Sequence, residues 1–152
     1  MKAIVLVDTS IFCEILEVPN MCSRVGPTRV ELRQRVQRGE FLLLPLATII
    51  ETGNHIAQNG DGRQRRQTAE KFALQVTQAL EGMSPFKPTS PMDLDALKGW
   101  LGEFPDCAMQ GVGLADLSII KEWERQCELN AARRVLIWSL DKHISGYDTG
   151  ER

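Results

Sequence analysis

The chain has 152 residues, 43% of them hydrophobic and 25% charged, with 18 Lys and Arg against 20 Asp and Glu for a net charge of −2. That composition suits a single soluble domain with one sizeable core, and no apolar run approaches the length of a membrane span. The charge argues against a wholly basic nucleic-acid-binding surface, and the cysteines Cys13, Cys22, Cys107 and Cys127 form no CxxC pair or His-Cys cluster, which argues against a zinc site.

In chain order, Lys2–Val7 is a continuous aliphatic run and reads as a central parallel strand covered on both faces. Its five apolar residues are too few for a signal-peptide core, so a cytoplasmic location with reduced cysteines is expected. Asp8-Thr9-Ser10 supplies N-cap chemistry for a helix carrying Ile11, Phe12, Ile15 and Leu16 at helical spacing and stopped by Pro19. A loop through Gly26-Pro27 precedes a helix over about Thr28–Gln37, closed by Gly39. Phe41–Leu44 is a second strand. Thr48 and Glu51 form a Thr-x-x-Glu pattern at the start of a helix running to about Gln58.

After a turn at Asn59–Gly62, a long helix covers about Gln64–Leu80. Phe86, between Pro85 and Pro88, suits a short edge strand. Ser90 with Pro91 opens a further helix that should end near Phe104-Pro105, and Asp106–Gly113 then reads as a loop. Leu114–Leu129 is a helix with Ile119, Ile120, Trp123 and Cys127 on one face. Val135–Ser139 is a last buried strand, leading to Asp141. The alternation of helix and strand predicts an α/β fold, a parallel sheet with helices on both faces, over residues 1–147 as one domain. Residues 148–152 read as a frayed polar tail.

Four acidic residues stand out against this background: Asp8 in VDTS, Glu51 in ATIIETGNH, Asp116 in GLADLSII and Asp141 in IWSLDKH. In open α/β sheets ligands bind beyond the carboxyl ends of the strands, beside helix N-termini, and each acid falls at such a place. Each also has a plain reading. Asp8 or Ser10 serves as a helix cap, Asp141 as a turn residue, Glu51 as the partner of Thr48 in a capping box, and Asp116 as a first-turn carboxylate favoured by the helix dipole. Jointly they suggest a site for one or two Mg²⁺ or Mn²⁺ ions, since gathered carboxylates repel one another and a divalent cation offsets that repulsion. Such a site needs no histidine or cysteine nucleophile. The arginines cluster at Arg29–Arg38 and at Arg63, Arg65 and Arg66, where they are either solvated helix faces or phosphate contacts.

The opening strand into VDTS, the helical Glu after PLATII, the helical Asp of GLADLSII and the final strand into SLDKH together resemble the PIN-domain nucleases, metal-dependent ribonucleases. The resemblance spans essentially the whole chain. It implies a three-layer fold with a parallel sheet of four to five strands, and a metal pocket of Asp8, Glu51, Asp116 and Asp141 acting in catalysis. It implies that Thr9, Ser10 and Ser139 line that pocket. In this reading Arg65 and Arg66 would contact the phosphates of a single-stranded or looped RNA. Short members of the family are often toxins held by a small antitoxin protein, and often homodimers. The long Phe104–Gly113 segment departs from the pattern. Two rivals are a catalytically silent domain of the same fold and a phosphotransfer enzyme with Asp8 as nucleophile. Phosphotransferases of that kind carry a second acid two residues on, where this chain has Ser10.

Overall fold

The computed structural model describes residues 1–90 and 93–150. Four strands, β1 (Ile4–Val7), β2 (Phe41–Leu44), β3 (Phe86–Pro88) and β4 (Val135–Trp138), form one sheet in the order β3-β2-β1-β4. All three pairings are parallel. The helices are α1 (Thr9–Leu16), α2 (Val25–Gln37), α3 (Leu46–Gln58), α4 (Gly62–Leu80), α5 (Leu94–Met109) and α6 (Leu114–Leu129). They lie on both faces of the sheet, which is the three-layer α/β arrangement expected from the sequence.

The strands lack polar alternation because both of their faces are covered. Val5, Val7, Leu42, Leu44, Leu136 and Trp138 point to one side and pack with Phe12, Cys13 and Leu16 of α1, Ile56 of α3 and Ala79 of α4. Phe12 meets Phe72 and Phe86 edge-on, at ring centroid distances of 6.3 and 5.8 Å. Ile4, Leu6, Val135 and Ile137 point to the other side, against Ile119, Ile120 and Trp123 of α6 and against Ile144. Cys13 is fully buried, and burial pushes its thiol up to about 11, so it stays protonated and inert.

Several expectations at element ends are corrected. Gly26 and Pro27 lie within the first turn of α2, where a missing proline N–H costs nothing because that donor has no helical partner. The turn at Asn59–Gly62 ends one residue earlier, because Asp61 is the cap of α4 and forms a reciprocal box with Gln64. The cap of α5 is Asp93, whose carboxylate accepts the Ala96 N–H at 2.7 Å, rather than Ser90. Pro91 of the expected Ser90-Pro91 start lies outside the described residues. Nor does α5 stop at Pro105; it continues to Met109. Glu103, just before the proline, is tied to Lys121 of α6 at 2.7 Å, and Val112, just past the helix, packs into the second core. Tertiary contacts thus hold the chain on either side of a proline that, by local chemistry alone, would break the helix.

Residues 148–150, read as the start of a frayed tail, are pinned. Asp148 makes a two-pronged ion pair with Arg134 at 2.6 and 2.9 Å and bridges antiparallel to Leu136. The Thr149 N–H donates to the Val135 carbonyl, so this segment covers part of the open edge of β4. Among the described residues, no helix is long and apolar enough to cross a membrane.

Candidate active site

The central strand and its neighbour β4 end level with each other, Val7 opposite Trp138. The chain therefore leaves both strands at the same point, and the Asp8 N–H donates to the Trp138 carbonyl at 3.0 Å. Asp8 is the N-cap of α1 and is only 4% exposed. Three donors reach its carboxylate, all at Oδ2: the Ser139 hydroxyl at 2.7 Å, the Ser10 hydroxyl at 2.9 Å and, more weakly, the Ser10 N–H at 3.4 Å. The two hydroxyls stand 3.3 Å apart and accept the backbone N–H groups of Leu140 and Asp141. Asp8 is thus the helix cap and also the centre of a hydroxyl network that joins the ends of β1 and β4. Its Oδ1 takes none of these three bonds.

α3 is placed by Thr48, whose fully buried hydroxyl donates to the Val7 carbonyl at 2.7 Å. This overturns the capping-box reading of Thr48 and Glu51. The helix starts two residues before Thr48, with Pro45 in the cap position, so Thr48 is not the cap, and its hydroxyl is spent on β1. Glu51, one turn further on, instead accepts the hydroxyl of the buried Thr9 at 2.9 Å.

Asp116 sits in the first turn of α6, just before the buried Leu117, Ile119 and Ile120. Its carboxyl is raised from the ordinary 3.8 to about 6. Burial is the largest cause, followed by repulsion from Asp8, Glu51 and Asp141, against which His143 pulls the other way. Asp141 follows β4 and folds back on itself, its Oδ1 accepting the His143 N–H at 2.9 Å.

Asp8, Glu51 and Asp141, from three separate segments, therefore all act on Asp116 at the carboxyl edge of the sheet. Elsewhere Glu17, Glu31, Glu40, Glu70, Glu103, Glu122, Glu124 and Asp148 take part in ion pairs, while Asp61 and Asp93 cap helices and the buried Glu14 accepts the Arg24 N–H. Among the described residues, no ion pair includes Asp8, Glu51, Asp116 or Asp141. Their hard oxygens and uncompensated charge suit Mg²⁺ or Mn²⁺. As placed, however, no three Asp, Glu, His or Cys side chains among the described residues stand close enough to hold one ion. Glu51 is turned to Thr9 through one oxygen and Asp141 to its own turn through one oxygen, so each keeps a second oxygen for an ion that draws the set together.

Thr9, Ser10 and Ser139 are all brought to this site, as holders of the acids. Arg65 and Arg66 are not. They lie exposed at the start of α4, beyond the end of α3 that is remote from Pro45, and Arg66 is paired with Glu70 at 3.1 Å. From Glu51 to the end of α3 at Gln58 is seven residues, about 10 Å along the axis. Sequence reasoning missed Thr48 and also missed a cleft of about 590 Å³ between α3, α5 and α6 that Glu51 helps to line. Comparison with protein-family models, with curated proteins and with solved structures found no match.

Proposed function

We propose that this protein is a Mg²⁺- or Mn²⁺-dependent endoribonuclease of the PIN-domain type. The observation that carries the reading is that carboxylates from four separate segments gather, without ion-pair partners, at the carboxyl edge of the sheet, where Asp8, Glu51 and Asp141 all repel Asp116. Leaving such a set uncompensated is costly unless a cation completes it. Asp8, Asp116 and Asp141 would hold the ion, with Glu51 binding it or orienting the attacking water. The ion supplies a more acidic bound water and charge for the scissile phosphate.

The remaining work falls to the chain itself. Ser10 and Ser139 fix the rotation of the Asp8 carboxylate through Oδ2 and leave Oδ1 directed by that choice. Thr9 holds Glu51 near the same point. Asp116 is protonated more readily than an ordinary carboxylic acid, so its charge is available in full only well above pH 6 unless a cation is bound. Arg65 and Arg66 would meet phosphates at some distance from the cut; such contacts position a strand without reading its sequence.

The test is cleavage of RNA in Mn²⁺ by the wild type, Asp8→Asn and Asp116→Asn, each checked for folding by circular dichroism. Loss of cleavage in both folded variants supports the reading, and cleavage equal to wild type in both sinks it. The separation of the carboxylates as placed favours one rival, a silent PIN-type domain that binds RNA or a protein. Calorimetric titration with Mn²⁺ decides between them, because the silent domain takes up no ion. A role as the toxin of a toxin–antitoxin pair would add a small inhibitory partner protein, and self-association would add a homodimer; sedimentation with and without a co-expressed neighbour gene product reads both.

A further inference from the structure

Two of the three tryptophans are used by the fold. Trp138 is 5% exposed and lies under the Arg35 guanidinium, 4.9 Å from its centroid. Trp123 donates its indole N–H to the Val135 carbonyl at 3.0 Å and meets Tyr147 edge-on. Trp100 differs. It lies on α5, a helix with no buried residue, and its half-buried ring lines the 590 Å³ cleft. Leu46, Ile50, Leu97 and Leu114 supply apolar walls, and Leu46 and Ile50 remain 43% and 56% exposed there. Glu51, alone of the four acids, lines the same cleft, so the cleft adjoins the acidic site.

We propose that this cleft is a subsite for one unpaired nucleotide of single-stranded RNA, its base against Trp100 and its backbone leading to the acids. The inference rests on the nuclease reading and adds to it which strands are accepted. Three observations favour this occupant. The volume lies within the range of about 300–1,000 Å³ that suits small ligands, whereas a docked protein helix about 10 Å across needs a longer open groove. The cations on the rim are already neutralised, Lys121 by Glu103 and Glu124 and Arg125 by Glu122, while Glu51 and Asp93 are acidic. A phosphate is therefore disfavoured inside, and an uncharged aromatic ring is not. Finally, an aromatic wall beside apolar side chains is the surface on which unstacked bases settle, and a base still paired in a duplex cannot reach it.

The experiment uses the full chain and a fluorescein-labelled single-stranded RNA of eight nucleotides, alone and annealed to its complement. Binding is read by anisotropy in the Asp8→Asn background, and cleavage in Mn²⁺ is read with Asp8 intact. The expected result is that Trp100→Ala weakens single-strand binding by about tenfold or more, that Trp100→Phe restores most of it, and that the duplex binds far less well. In turnover, Trp100→Ala raises KM far more than it lowers kcat. Unchanged binding and KM in a folded Trp100→Ala variant, with cleavage still lost in Asp8→Asn, overturns the cleft assignment and leaves the nuclease reading standing. Equal cleavage by Asp8→Asn and wild type sinks the nuclease reading, while the anisotropy still reports on the cleft. Concentration-dependent self-association that Trp100→Ala abolishes, without RNA binding, assigns the cleft to a protein interface and overturns the proposal.

Discussion

Two charged regions of this molecule are built on opposite plans. At the α2–β2 connection, Arg35 is 8% exposed and holds Glu40 at 2.8 Å and Glu31 at 2.7 Å, while Arg38 reaches Glu40 at 3.0 Å. Arg35 also covers the Trp138 ring. Every charge there faces an opposite one. At the carboxyl edge of the same sheet, Asp8, Glu51 and Asp141 accept hydroxyls and backbone N–H groups and enter no ion pair, and the Asp116 carboxyl is lifted to about 6, first by burial and then by repulsion from these three acids. The first arrangement stabilises the fold by itself. The second has a shortage of positive charge that an exogenous cation can fill, which is why the first reads as structure and the second as a site.

The comparison is tested most severely at the acids. Asp8→Asn or Asp116→Asn should lower Mn²⁺-dependent RNA cleavage by more than the roughly 10–100-fold that follows loss of a group supporting a metal ligand. The metal-free variants should melt no lower than the wild type, because the change relieves repulsion. Ser139→Ala should fall within that 10–100-fold range, since it removes a bond to Asp8 and not the carboxylate itself. A Ser139→Ala enzyme as inactive as Asp8→Asn would show that the hydroxyl touches substrate.

Arg35→Ala should do the reverse: activity per folded molecule retained, stability to urea reduced by about 2 kcal/mol, because the largely buried Glu40 loses its shorter ion pair and keeps only Arg38, and Trp138 loses its cover. A loss below about 1 kcal/mol would mean that the network is no more than a surface pair.

The pH dependence separates the two regions further. A carboxyl whose folded value is about 6 against an unfolded 3.8 stays protonated in the folded protein while the unfolded chain ionises. Its stabilising contribution is complete below pH 3.8 and is lost as pH rises through about 6. Solvent reaches this half-buried group, so the loss should be on the order of 1 kcal/mol. Urea titrations of the metal-free protein at pH 4 and pH 7 should show this component, absent in Asp116→Asn and reversed by Mn²⁺. Asp148, held below the usual range first by its bond to Arg134, behaves oppositely and contributes only as pH rises past its depressed value. The smallest effect is expected at Arg29→Ala, which breaks the exposed pair with Glu17 and should shift stability by less than about 0.5 kcal/mol.

The parts of the fold that could be read in the sequence are those written in local pattern. The three longer strands are uninterrupted apolar runs because both faces are covered, and α6 falls at Leu114–Leu129 because its apolar stripe and preceding glycine mark both ends. Pro105 misled because the chain on either side of it is held by the Glu103–Lys121 tie and the packing of Val112, both of long range and absent from the local pattern. Thr48 and Glu51 misled because Thr-x-x-Glu describes a capping box and also an anchored helix turn, and only the Val7 carbonyl distinguishes them. Asp8 and Asp141 could be picked out because each follows a strand and Asp116 because it opens a helix, whereas Glu51 reads as part of a helix start that in fact lies five residues earlier. That Ser139 and Ser10 converge on one oxygen of Asp8 depends on the parallel register of β1 and β4, which no local pattern encodes. The cleft beside Trp100 draws on three distant helices and was invisible for the same reason.

The most direct measurement is the anomalous difference density of Mn²⁺ soaked into crystals of the wild-type protein. The account predicts a peak at the carboxyl edge of the sheet, within about 2.2 Å of oxygens from Asp8 and at least one of Asp116 and Asp141. A fully soaked crystal with no peak among these carboxylates, or with manganese bound only elsewhere, would contradict it.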